Sequence, residues 1–213
     1  MEFLPDLTTF ITFTIAVWVL AITPGPDMTL SIARSLSDGK AGGMMVVLGT
    51  SSGLIIHTLL VALGISALIV ASPTAFMILK TGGAAYLVWL AVQAIRHGSS
   101  LSVKRVEGPA KSGLANYLNG FWCNLLNPKV ILFFMTFLPQ VVTANDPHVA
   151  GKLIFLGFWA ILAGMPINLM VVVVAEKLST WLQNNRRVLR GIDYSFAGIF
   201  SLFAFKIFMT QSR

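Results

Sequence analysis

Residues 7–22 form an apolar run that stops on Thr23-Pro24-Gly25-Pro26-Asp27. This stop constrains the chain more than any other stretch. Each proline lacks an amide hydrogen and crowds the preceding turn, so an ordinary helix does not run through both. In a water-soluble protein the stretch reads as a loop. Here a carboxylate follows the break, and the next membrane-length apolar run begins only after Gly42. A helix broken beside an ionisable residue, at the end of a first span, is one way a transporter builds a substrate site.

Composition supplies the bilayer. Of 213 residues, 56% are hydrophobic and 11% charged, against roughly 25% charged in a soluble domain. That is too little charge to cover a water-facing surface, so the expected fold class is an all-α integral membrane protein. The single Cys123 excludes an internal disulfide or a thiol pair, and leaves a thiolate metal cluster without ligands. No cofactor or metal is expected. The formal charge of +7 does not imply nucleic acid. Lys and Arg gather between apolar runs, where they orient a protein in a membrane. Glu2 and Asp6, without a basic start, do not make a signal peptide.

A spanning helix needs about 20 mainly apolar residues. Six spans are expected, at 7–22 and past the break, 44–70, 75–95, 114–137, 153–175 and 192–209. The fourth is interrupted at Asn127-Pro128-Lys129, and its first part mixes Asn116, Tyr117, Asn119, Trp122 and Asn124 with apolar residues. It is either one broken span or a surface helix leading into one. Basic residues fall in alternate connections: Arg34 and Lys40, then Arg96, Lys104, Arg105 and Lys111, then Lys177, Arg186, Arg187 and Arg190. The positive-inside rule puts these in the cytoplasm and both termini outside. A five-span arrangement would scatter them over both faces.

The chain divides into halves, 1–95 and 112–213, joined by the basic loop 96–111. Each half opens with a helix broken at proline. Three spans per half invert the second half relative to the first, so breaks in helices 1 and 4 approach mid-depth from opposite faces. Matched interruptions in inverted halves are the best sequence pointer to a transporter's binding site. The repeat is topological, without a residue-by-residue match.

An amino-acid zwitterion suits such a site. Helix starts after Pro26 and Pro128 offer unpaired N–H groups to a carboxylate. Asp27 is a partner for an ammonium, or else a helix cap at the interface. Lys129 is a partner for the carboxylate or for Asp27, or else a snorkelling side chain. Asn124 and Asn127 either touch substrate or satisfy backbone freed by Pro128. Asn168 faces the site or bridges helices. His57 has the ordinary pKa of a proton relay, or is a buried neutral ring bonded to a neighbouring helix. Lys80 reads as a snorkelling residue near the outer face, and Asp193 as interfacial.

Ile22-Thr23-Pro24-Gly25-Pro26-Asp27-Met28, Gly49-Thr50-Ser51-Ser52-Gly53 and Asn124-Leu125-Leu126-Asn127-Pro128-Lys129 together resemble the LysE/RhtB family of bacterial amino-acid exporters. The likeness covers essentially the whole chain in length and span order. It implies efflux of a small amino acid such as homoserine, threonine or leucine across the inner membrane, with proton-coupled exchange. The candidate substrate residues are Thr23, Gly25, Asp27, Ser51, Ser52, Asn124, Asn127, Lys129 and Asn168, and the candidate proton carriers are Asp27 and His57. Expected partners are the amino acid, protons and lipid, with a second copy of the chain as a further candidate. No P-loop supports direct ATP drive, and neither a His-Glu-x-x-His nor a Gly-x-Ser-x-Gly pattern supports an enzyme. An intramembrane enzyme, a channel and a structural subunit are the alternatives.

Overall fold

The computed structural model describes residues 4–97, 109–143 and 145–211. These are all-helical: α1 Leu7–Ile22, α2 Pro26–Ala71, α3 Pro73–His97, α4 Gly113–Leu125, α5 Pro128–Phe137, a 3-10 turn Leu138–Val141, α6 Val149–Val173, α7 Ala175–Asn184 and α8 Arg186–Gln211. Lys104 and Arg105, expected in the central basic loop, lie outside the described residues. Among the described residues, α2 and α6 are each long and apolar enough to cross a membrane. α4 and α5, bent by 49°, make a third span if taken as one. The fourth stretch is a bent helix pair. The outward faces of α2 and α6 expose Leu60, Leu63, Leu162 and Met170, apolar side chains of a kind that meet lipid or a partner.

Two connections differ from expectation. The stretch around Arg34 and Lys40 is not a loop. α2 runs through it with a single kink at Gly39, where φ is 77° and ψ is 175°, a conformation that is essentially glycine-only. One residue thus does the work of a turn. Residues 176–191 were expected as a basic loop; instead they form α7 and the first turn of α8. Ala175 is buried and Leu178 partly buried against Met28, Ile32, Val171 and Leu189. Apolar residues three apart share one helical face, and that buried stripe holds the polar remainder helical.

α2 packs on α4 and α6, α3 on α8, α1 on α6, α3 on α5 and α1 on α8. The α2–α4 crossing is close because glycines line it. A Cβ on Gly49 would run into the Tyr117 carbonyl, and one on Gly53 into the Asn124 side chain. Helices in lipid associate through such packing rather than through a hydrophobic force. The main apolar core joins α1, α5 and α6: Phe13, Phe133, Phe134, Phe137, Leu153 and Leu156 are almost wholly buried. Within it Phe133 and Phe137 stack at 5.0 Å.

A chamber at two proline breaks

Pro24 has no N–H to give the Leu20 carbonyl, so α1 ends with an unfilled acceptor. Lys129, two residues past the other break, fills it. Its Nζ donates to Leu20 O at 2.8 Å and to Thr23 O at 2.6 Å. A cation at a helix C-terminus also meets the negative end of the helix dipole. At the second break Asn127 caps α5, its Oδ1 accepting from the Lys129 N–H at 3.0 Å. Pro128 likewise deprives the Asn124 carbonyl of its helical donor. That oxygen accepts a turn bond from Asn127 N at 3.0 Å and pairs with His57 Nε2 at 3.3 Å. With a carbonyl as acceptor, the ring nitrogen is the protonated one. Each interrupted helix is thus completed by a side chain from the other half of the chain.

Asn124 also turns its side chain to the first break, and Nδ2 donates to Asp27 Oδ2 at 2.6 Å. Asp27 Oδ1 is buried without a hydrogen-bond partner. The Cys123 thiol lies beside the same carboxylate. Asp27 and Lys129 therefore occupy equivalent places, each directly after a helix-starting proline, with opposite charge.

Between α1, α2, α4, α5 and α6 lies a cavity of about 80 Å³. One water takes about 10–15 Å³ on this measure, so there is room for roughly five to eight atoms of that size. Of the sequence candidates, Thr23, Gly25, Asp27, Asn124, Asn127, Lys129 and Asn168 all line it. Ser51 and Ser52 do not. Ser51 bonds back to the Val47 carbonyl, and Ser52 accepts from Tyr117 at 2.8 Å at the α2–α4 contact. Their neighbour Thr50 faces the cavity instead, because one helical step turns a side chain by about 100°. His57 stands behind Asn124 rather than on the wall.

Several residues emerge only in three dimensions. Asp193, expected at an interface, is 2% exposed and within electrostatic reach of Lys129. The rule that ionisable groups inside a span are functional candidates would have flagged it. Arg34, expected in a loop, and Asp38 beside it are partly or wholly buried at the kink, 3.5 Å apart. Asp38 also accepts from Asn116 Nδ2 at 2.9 Å, tying the kink of α2 to the start of α4. Lys80 is anchored rather than snorkelling freely, since its Nζ donates to the Val142 carbonyl at 3.1 Å. No cluster of three metal-ligating side chains occurs among the described residues.

An apolar-clad helical protein with a buried chamber of mixed charge at two helix breaks has the architecture of a membrane transport protein. Comparison supplies the family. The LysE type translocator model matches residues 18–211, and the chain belongs to that family. A homoserine/homoserine lactone efflux protein of Salmonella typhimurium is 29% identical over 184 residues, covering 86% of this chain and 88% of the relative. An uncharacterized membrane protein of Bacillus subtilis is 28% identical over 176 residues, covering 79% and 83%. Another from Vibrio cholerae is 32% identical over 143 residues, covering 67% and 69%. No solved structure matches. By family the protein is a LysE type translocator, and the Salmonella relative is named as an efflux protein.

Proposed function

We propose that the protein exports a small, uncharged-side-chain amino acid across the bacterial inner membrane, driven by proton antiport. The observation that carries this reading is the pairing of Asp27 and Lys129 across one cavity, the charged side chains among those lining it. One anion and one cation match a zwitterion and leave no counter-charge for an acidic or basic side chain. The named relative, an efflux protein for homoserine and its lactone, supports the same substrate size.

In the proposed cycle the two halves are inverted repeats, both termini lie outside, and the basic connections are cytoplasmic. Exchanging the halves turns the α1–α6 contact into α4–α2, and both pairs occur. Alternating access then opens two closures in turn. One is the aromatic packing of Phe13, Phe133 and Phe137. The other is the Arg34–Asp38–Asn116 latch. Asp27 is the proton carrier, exchanging its proton for the substrate ammonium, and His57 braces the second break.

The test is counterflow in proteoliposomes over an amino-acid panel, with and without an imposed pH gradient. Asp27→Asn is expected to abolish pH-driven exchange while the protein still folds and inserts. Exchange across the gradient at the unmutated rate in Asp27→Asn would remove that residue from coupling.

A further inference from the structure

We infer that a groove between the kink of α2 and the α6–α7 junction binds the headgroup of an anionic phospholipid. The groove is separate from the chamber, and the inference does not depend on the export reading. It encloses about 570 Å³, against about 80 Å³ for the chamber, too wide to close around a small amino acid. Ser35, Lys40, Val173, Val174, Glu176 and Lys177 are among its lining residues. Two ammonium groups against one carboxylate favour an anion. Both lysines are exposed, and the described ion pairs, Arg34 with Asp38 and Lys152 with Asp146, include neither. Asp38, two residues before Lys40, is occupied by Arg34 and Asn116. Each ammonium brings three N–H donors for phosphate oxygens. Ser35 Oγ donates to the Ser31 carbonyl, so only its acceptor lone pairs remain, and these suit a headgroup hydroxyl.

What separates a lipid from a free anion is the surface leading away from the lysines. Gly43 lies against Val172, and Gly157 against Thr58. α2 and α6 are therefore antiparallel and leave the groove in the same direction. On α2, Met44 and Leu48 follow Lys40 at four-residue steps, and both are exposed. On α6, Met170 precedes Val173 and Val174 by three and four residues, and all three are exposed. Residues so spaced share a helical face. Each wall thus passes from a lysine to apolar surface, as a phospholipid passes from phosphate to acyl chain. α7 sets the depth. Lys177 and Trp181 lie four residues apart on one face, with Trp181 exposed and Leu178 packed inward. An exposed tryptophan on an amphipathic helix belongs at headgroup level. Basic pockets between spanning helices at that level hold anionic headgroups.

The test titrates dioleoyl phosphatidylglycerol into the full chain in a non-ionic detergent and follows the thermal unfolding midpoint. The midpoint is expected to rise and saturate, as for a ligand that binds only the folded state. Dioleoyl phosphatidylcholine has the same chains without net charge, and glycerol 3-phosphate has the phosphate without chains. Neither is expected to raise it. Lys40→Gln with Lys177→Gln is expected to weaken the apparent affinity at least about tenfold. Arg96→Gln with Lys111→Gln removes the same charge from residues that do not line the groove, and is expected to keep it. An equal rise with phosphatidylcholine, an unweakened affinity in the groove variant, or an equal loss in the control variant overturns the inference. A rise with glycerol phosphate makes this a free-anion site and overturns the lipid. A dimer by light scattering that the groove variant splits gives the groove to a second copy and overturns it as well. If the groove variant does not fold, the comparison of the two lipids on the unmutated chain decides.

Discussion

At Pro24 and Pro128 the missing amide hydrogens decide what the nearby polar side chains must do. Lys129 Nζ reaches the Leu20 and Thr23 carbonyls, and His57 Nε2 reaches the Asn124 carbonyl. Removing one partner of a buried hydrogen bond leaves the other unsatisfied, at a cost of about 1–3 kcal/mol. Lys129→Met is therefore expected to lower stability by about that amount, read as a drop in thermal unfolding midpoint of the detergent-solubilised protein. His57 separates a brace from a proton carrier. His57→Gln keeps a donor near Nε2 and is expected to preserve both stability and the pH profile of transport. His57→Leu is expected to lose stability by about 1–3 kcal/mol. A shifted pH profile in His57→Gln would return the ring to the coupling role. At this scale much was legible. The Pro-Asp and Pro-Lys pairs announce both breaks and both charges. That Lys129 is committed to backbone was not legible, because its acceptors lie more than a hundred positions away in sequence.

The helices divide the work between tight contact and hinge. α2 and α4 approach so closely that a Cβ at Gly49 overlaps backbone of α4, while a Cβ at Gly64 meets nothing. Gly49→Ala is accordingly expected to cost about 1–3 kcal/mol through overpacking. Gly64→Ala is expected to be neutral or to gain up to about 1 kcal/mol of helix propensity. Thermal unfolding of the two variants side by side checks this, and equal midpoints would contradict the close crossing. Gly39 is the second kind of element. Its positive φ lets α2 change direction in one residue, so a stretch with loop-like composition stays helical. α7 departs from the sequence reading for a related reason. Charge density over 176–191 suggests a loop, but the buried faces of Ala175 and Leu178 outweigh it. Local composition reports solvation. It does not report which neighbour a short apolar stripe will find.

Across the whole molecule the broken helix ends are completed from far along the chain, α1 by Lys129 and α4 by His57. If the basic connections are cytoplasmic, the turn at residues 145–147 and the exposed face of α7 lie on opposite sides of the membrane. With Cys123 changed to Ser, a single cysteine at Asn145 should react with a membrane-impermeant thiol reagent in intact cells. One at Lys177 should react only once the inner face is opened. The reverse pattern would invert the topology and with it the direction of export. The sequence by itself determined the membrane class, the helix breaks and the charges beside them, because these follow from hydropathy and from what proline does to its own backbone. The tertiary structure alone decided that Thr50 rather than Ser51 or Ser52 faces the chamber, that Asp193 is buried near Lys129, and that Lys129 belongs to α1. Those outcomes depend on the rotation and approach of helices far apart in the chain, and no local run of residues encodes them.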